Sequence, residues 1–353
     1  MKIIMLPGDG IGPEIMKATA VVLNKLNESC NLRLNFEQLS IGMTTLEATG
    51  STLPEKIMEQ IKSADGVVLG PCDTYAYPSR EEGGVNPSAA IRLELDLFAN
   101  IRPSRARVGV PAMTPDMDLV IVRENTEGFY ADRNMYSGSG EFMPTQDVAL
   151  AVRKVTRQGS RRIAEEAFKL AQQRRKKVTV VTKANVLKLT EGLFLEEIYD
   201  VAKSFPDVEL REVLIDAMAA LLVRTPAEFD VIVTTNMYGD ILSDEAAELS
   251  GGLGLGGSVN AGDKHGIAQA AHGSAPDIAD LGIGNPVALM NSVAMLLEWL
   301  GGRNGRSDLI NAGKHFTDAI DRALQDRVNH TPDLGGKAKT QEVGKAVLSH
   351  IRG

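Results

Sequence analysis

Short apolar runs alternate along this chain with longer segments in which apolar residues recur every three or four positions. Runs at Ile3–Leu6, Gly66–Leu69, Leu119–Val122, Val178–Thr182 and Val231–Thr235 predict β-strands. Segments at Ile15–Leu26, Pro54–Lys62, Gly159–Arg174, Leu193–Ser204 and Pro286–Leu300 predict helices. The alternation argues for an α/β fold with helices on both faces of a sheet. Glycine-rich stretches at Gly251–Gly257 and Gly282–Pro286 read as flexible connections near a cleft, and Tyr136–Phe142 as a turn-rich excursion able to form a strand arm.

The run ending at Thr235 leads into Asn236–Glu245, with a helix expected from Glu245 to Leu249. Asp240 and Asp244 then fall where a strand gives way to a helix, four residues apart on one face. Ligands of α/β proteins bind at that edge of the sheet. Two neighbouring carboxylates repel each other unless a cation lies between them, and all-oxygen ligation suits Mg²⁺ or Mn²⁺. A helix start, where acids favour the macrodipole and cap free amides, accounts for the pair equally well.

Composition narrows the classes. A chain of 353 residues, 43% apolar, can bury a large core, and its length suggests two domains. The net charge of −8 argues against nucleic-acid binding. The dense basic run Arg174–Lys177 reads as a solvated helix end. Cys30 and Cys72 cannot make a disulfide framework and fit a reducing compartment. Met1–Gly8 reads as a strand rather than a signal peptide, and no apolar run is long enough to span a bilayer. The expectation is a cytoplasmic protein without membrane partners.

Four further features bear chemistry. Gly8–Glu14 is an imperfect dinucleotide fingerprint: its third glycine comes one residue early, and a glycine turn entering a helix with proline near its start explains it structurally. His272–Ile278 is a polar loop of small residues that admits a ligand to the backbone, or is simply a turn-rich connection. Arg92, Arg102 and Arg123 each end an apolar segment. If they converge they suit a di- or tricarboxylic acid, although surface pairing is the usual fate of any one arginine. Lys183, at a strand end among apolar residues, suits a base. Tyr130 follows a polar run, as a ligand-facing hydroxyl or a half-buried packing residue.

Taken in order, these stretches resemble one family across the whole chain. The matching motifs are Gly8–Ile15, Leu97–Pro103, Val122–Tyr130, Thr182–Asn185, Asn236–Asp244, His272–Ile278 and Pro332–Gly336. Together they resemble the metal-dependent β-decarboxylating dehydrogenases: isocitrate, homoisocitrate, 3-isopropylmalate and tartrate/malate dehydrogenases. The resemblance implies a two-domain α/β fold that is not Rossmann, with the active site in the interdomain cleft. Residues 1–99 plus 252–353 would form a large cofactor-binding domain. Residues 100–251 would form a small domain that dimerises and carries a clasp arm around 136–148. A homodimer or dimer of dimers follows.

The resemblance also assigns roles. Asp240 and Asp244, with Asp216 from a neighbouring subunit, would hold Mg²⁺ or Mn²⁺. Lys183, also donated across the dimer, would take the substrate hydroxyl's proton, and Tyr130 would protonate C3 after loss of CO₂. Arg92, Arg102 and Arg123 would clamp the carboxylates. Ile11, His272, Gly273, Ser274, Ala275, Asp277, Ile278 and Asn285 would bind the cofactor. NAD is expected over NADP, because the match places Asp277 and Ile278 where NADP-using relatives carry lysine and tyrosine, and an aspartate repels a 2′-phosphate.

Asn86 and Ser88 would face the C3 substituent of a (2R)-malate. Burying an isopropyl group against them would leave polar groups unpaired at about 1–3 kcal/mol each. The expected substrate therefore resembles isocitrate or homoisocitrate, with 3-isopropylmalate or tartrate/malate as the alternatives. A catalytically silent regulatory subunit would be expected to lack a metal aspartate, Tyr130 or Lys183, and all are present.

Overall fold

The computed structural model describes residues 1–130, 135 and 138–351. Its strands are β1 (Lys2–Leu6), β2 (Asn35–Gln38), β3 (Gly66–Leu69), β4 (Ala99–Arg105), β5 (Asp118–Glu124), β6 (Glu141–Thr145), β7 (Val148–Ala151), β8 (Lys177–Thr182), β9 (Glu209–Leu214), β10 (Val231–Thr234), β11 (Gly257–Ala261) and β12 (Gly266–Ala270). Its helices are α1 (Gly12–Ser29), α2 (Met43–Thr49), α3 (Glu55–Lys62), α4 (Pro87–Glu94), α5 (Arg157–Gln172), α6 (Thr190–Ala202), α7 (Ile215–Arg224), α8 (Asn236–Leu249), α9 (Val287–Asn304), α10 (Ser307–Leu324) and α11 (Thr340–Ser349).

Among the described residues one ten-stranded sheet runs β2-β1-β3-β12-β11-β4-β5-β10-β8-β9. It consists of two parallel blocks, β2-β1-β3-β12 and β5-β10-β8-β9, joined through β11 and β4, which run antiparallel to their neighbours. This is not a Rossmann order. The central strands β1, β3, β8 and β10 are covered on both faces, so they read as continuous apolar runs rather than alternating ones.

Buried apolar residues segregate. One cluster joins α1 to α9, α10 and α11, and another packs β1 and β3 against α3 and α4. Two more draw on residues 98–233 and 117–249. α5 shows why these helices form: Thr156 caps its first turn through Gly159, and Ile163, Ala164, Ala167, Phe168 and Ala171 make one buried stripe.

Three expectations change. α8 starts at Asn236, not near Glu245, so Asp240 and Asp244 lie inside a helix rather than at its mouth. The basic run is only partly solvated: Arg174 Nε and the Arg175 backbone N–H both donate to fully buried Asp230, which would otherwise be an unpaired charge. The arm is an exposed hairpin of β6 and β7, shifted later than 136–148, and Tyr136 and Ser137 lie outside the described residues.

Candidate active site

β5 and β10 are paired in register, with Arg123 opposite Thr234, so the carboxyl end of β5 faces the start of α8. Gly239 is what lets the helix close on the strand, since a Cβ there would sit 2.7 Å from Arg123 Cβ and Cγ. The Arg123 fork therefore lies along α8. Its Nε and Nη2 donate to Asn236 Oδ1 at 2.9 and 2.6 Å, and its Nη1 to Asp240 Oδ1. Arg102, from β4, contacts Asp240 Oδ1 at 3.3 Å and Asp244 Oδ1 at 3.2 Å. The Tyr130 hydroxyl donates to Asp240 Oδ2 at 3.5 Å.

Thus Arg102, Arg123, Tyr130, Asp240 and Asp244 converge. Burial, then the neighbouring Arg102, brings the Arg123 guanidinium down to about 10, and burial raises the Asp244 carboxyl despite Arg102.

Arg92 reaches this cluster through a polar network. Gln269 Oε1 accepts from Ser88 Oγ, Arg92 Nη2 and Asn260 Nδ2 at 3.1, 3.1 and 3.2 Å. Asn260 Oδ1 accepts from Asn100 and Asn125, and Asn100 Oδ1 from Arg102 Nε. Arg92, Asn125, Tyr130 and Asn236 line one small hollow. Asn86 is otherwise engaged: its side chain caps α4 by accepting from the Ala89 backbone at 3.1 Å. Gln269, Asn100 and Asn260 were not foreseen, because an amide's role depends on strands brought together from distant parts of the chain.

Lys183 and Asp216 stand apart from the α8 aspartates. Lys183 Nζ donates to Asp216 Oδ1 at 2.6 Å, and this bond holds the Asp216 carboxyl below its usual range. The expected apolar setting of Lys183 is thus corrected, because an exposed aspartate is its neighbour. Among the described residues, no three acidic, histidine or cysteine side chains gather within one chain as a metal-binding group. Asp240 and Asp244 remain a suitable oxygen-donor pair, partly exposed and one helical turn apart.

A second region lies at the carboxyl ends of β1 and β12. Gly10 has φ 56°, and a Cβ there would meet Ser274 O at 2.0 Å. The glycine turn therefore brings the 8–14 loop against the 272–278 loop, fastened by Ile11 N–H to Ser274 O at 2.9 Å. Glu14 fastens the 282–286 loop by accepting from Gly282 and Gly284.

The cleft left between them, about 530 Å³, is lined by Ile11, His272, Gly273, Ala275, Ile278 and Asn285, with Gly254, Ile283, Pro332 and Asp333. Ser274 is buried behind it and Asp277 is not part of the lining. Apolar walls suit a flat ring, and His272 Nε2 is buried with no hydrogen-bond partner among the described residues, while Gly273 has open space where a Cβ would be. Burial lowers the His272 imidazole, favouring its neutral form. These residues fit an adenine-bearing cofactor. The Pro332–Gly336 motif carried no assigned role in the sequence, yet Asp333 holds Asn285 at 2.9 Å.

A sequence model of isocitrate/isopropylmalate dehydrogenase matches residues 2–347. The chain is 41% identical to a 3-isopropylmalate dehydrogenase of Methanothermobacter thermautotrophicus, covering 99% of this chain and 98% of that one. It is also 41% identical to an isocitrate/homoisocitrate dehydrogenase of Thermus thermophilus, with the same coverage. The crystal structure of isocitrate dehydrogenase from Methylococcus capsulatus superposes with a TM-score of 0.87 at 38% identity, covering 100% of this chain and 99% of that one. The chain belongs to the isocitrate/isopropylmalate dehydrogenase family, whose members are metal-dependent, oxidatively decarboxylating dehydrogenases.

Proposed function

We propose that this protein oxidatively decarboxylates a 3-substituted (2R)-malate to a 2-oxo acid with NAD and Mg²⁺ or Mn²⁺. The observation carrying the reading is the meeting of Arg102, Arg123 and Tyr130 with Asp240 and Asp244 on α8. In this reading residues 1–99 plus 252–353 and residues 100–251 act as two domains, and the apolar clusters support that division apart from Phe98 and Ala99, which pack with the middle segment, and Val110, which packs with the outer one.

Arg92, Arg102 and Arg123 would bind the substrate carboxylates as forks, fixing C2 and C3. Lys183 of a second subunit would take the C2 hydroxyl proton as the C2 hydride leaves. The C3–carboxylate bond then breaks, its electron pair passes toward the C2 oxygen, and Tyr130 returns a proton to C3. A divalent cation held by Asp240, Asp244 and the second subunit's Asp216 would polarise the C2 oxygen and offset its charge, and NAD would take the hydride. The 2.6 Å contact between Lys183 and Asp216 supports their arriving together from one subunit.

One observation favours an isocitrate- or homoisocitrate-like substrate over 3-isopropylmalate. Ser88 Oγ is tied to Gln269 next to Arg92, so the wall that would face C3 carries polar groups, although this bond already gives the hydroxyl a partner and lowers the cost of an apolar C3 group. Asn86 supports less, since its carbonyl caps α4. Ile278 on the cleft wall and exposed Asp277 beside it favour NAD. Both cysteines are free, which suits the cytoplasm.

The test is stoichiometry. Purified protein with Mn²⁺, NAD and isocitrate or homoisocitrate should release one CO₂ per NADH, and chelation should stop both. CO₂ without NADH, or turnover untouched by chelator, would refute the proposal.

A further inference from the structure

Beneath the catalytic elements lies a buried ion pair that the mechanism above does not use. Arg153 is 7% exposed, Glu191 is fully buried, and Arg153 Nη2 contacts the Glu191 carboxylate. Arg153 Nη2 also donates to Thr235 Oγ1 at 3.0 Å and Nη1 to Thr190 Oγ1 at 3.4 Å. Its guanidinium carbon lies 5.6 Å from the centre of the Phe129 ring and 5.3 Å from that of Tyr238. Apart from Thr190, each contacted residue leads to a residue of the proposed chemistry. Phe129 directly precedes Tyr130. Thr235 and Tyr238 open α8, whose following turns carry Asp240 and Asp244.

Glu191 leads to Lys183. Burial raises its carboxyl, opposed by the charge of Arg153. The segment between Lys183 and Glu191 is short and bonded, with Leu187 N–H on Lys183 O at 2.9 Å and Glu191 N–H on Leu187 O at 3.0 Å. A buried pair is a poor source of stability compared with apolar packing, but it fixes geometry, since each partner tolerates few arrangements. We infer that Arg153 and Glu191 are positioning residues that set Lys183 and Tyr130 together. The inference rests on the proposed function. Because Lys183 would serve the second subunit's site and Tyr130 its own, the pair would also tie the two sites of a dimer to each other.

The test uses full-length Arg153→Met, Arg153→Lys and Glu191→Gln enzymes whose folding is checked by circular dichroism. In Arg153→Met, kcat should fall by about 10- to 100-fold, the scale of a small misplacement of reacting groups. KM should stay within about threefold, because Arg92, Arg102 and Arg123 are untouched. The solvent isotope effect on kcat should rise, as proton transfer by misplaced groups becomes slower. Arg153→Lys should recover part of kcat, and Glu191→Gln, which keeps the shape, should show the same pattern even where Arg153→Met fails to fold. Values of kcat within twofold of wild type, or a loss with an unchanged isotope effect, would overturn the inference. Wild-type enzyme inert toward every malate would overturn the functional reading, and this inference with it.

Discussion

Replacing Asp240 by asparagine separates the metal reading from a purely structural one. Asp240 Oδ1 serves both Arg123 Nη1 and Arg102 Nη2, whose side chains are 3% and 8% exposed. In the variant two buried guanidiniums keep only Asp244, through Arg102 at 3.2 Å, as an aspartate partner on α8. Breaking a buried ion pair costs about 3–5 kcal/mol, but Asp240 is 36% exposed and solvent screens it, so about 1–3 kcal/mol is expected. At about 2.1 cal/mol/K per residue, 1 kcal/mol moves the Tm of a 353-residue chain by about 1.3 °C. The metal-free variant should therefore melt about 1–4 °C lower. In wild type, Mn²⁺ at about 100 times its Kd should add about 2.7 kcal/mol, or nearly 4 °C. Asp240→Asn should lose most of that increment, and the double change Asp240→Asn, Asp244→Asn should lose all of it together with turnover. Melting curves with and without MnCl₂ measure both effects. An unchanged Mn²⁺ increment alongside near-normal turnover would reduce the aspartates to counterions of the arginines.

Mixed Lys183→Ala and Tyr130→Phe subunits, each inactive alone, should regain activity by rebuilding one intact site, and inert hybrids of verified composition would count against shared sites. kcat/KM should be higher with NAD than with NADP, while Asp277→Lys with Ile278→Tyr should raise NADP use; an NADP preference in wild type would contradict the assignment. Burial pushes the Glu124 carboxyl from 4.5 up to about 7 against hydrogen bonds from Thr126 and Glu127. A carboxyl raised on folding holds its proton longer in the folded state, so stability falls as pH climbs through that window, by up to about 3 kcal/mol. Urea unfolding near pH 5 and near pH 8 should show this fall in wild type and not in Glu124→Gln; parallel behaviour would refute it.

What the sequence made legible were the local features. Gly66–Leu69 is bounded as expected, because a strand covered on both faces is apolar throughout. β9 and β11 escaped notice: Glu209–Leu214 is an edge strand with an exposed face, and Gly257–Ala261 is small and polar although buried. The early start of α8 was hidden because Asn236, Tyr238 and Gly239 are poor helix signals, and their burial against β5 makes them helical. Convergence of Arg102 and Arg123 depended on strand register, which sequence does not display. The Arg153–Glu191 pair left no motif, since it is assembled from the segment after β7 and the start of α6.

The central claim is tested most directly by one panel: purified enzyme, Mn²⁺ and NAD with isocitrate, homoisocitrate, 3-isopropylmalate, tartrate and (2R)-malate, followed by absorbance of reduced nicotinamide. Isocitrate or homoisocitrate should give the highest kcat/KM. A tenfold advantage for 3-isopropylmalate, equal to about 1.4 kcal/mol of transition-state preference, would contradict the polar C3 pocket. No reduction with any member would contradict the claim that the chain is a working dehydrogenase.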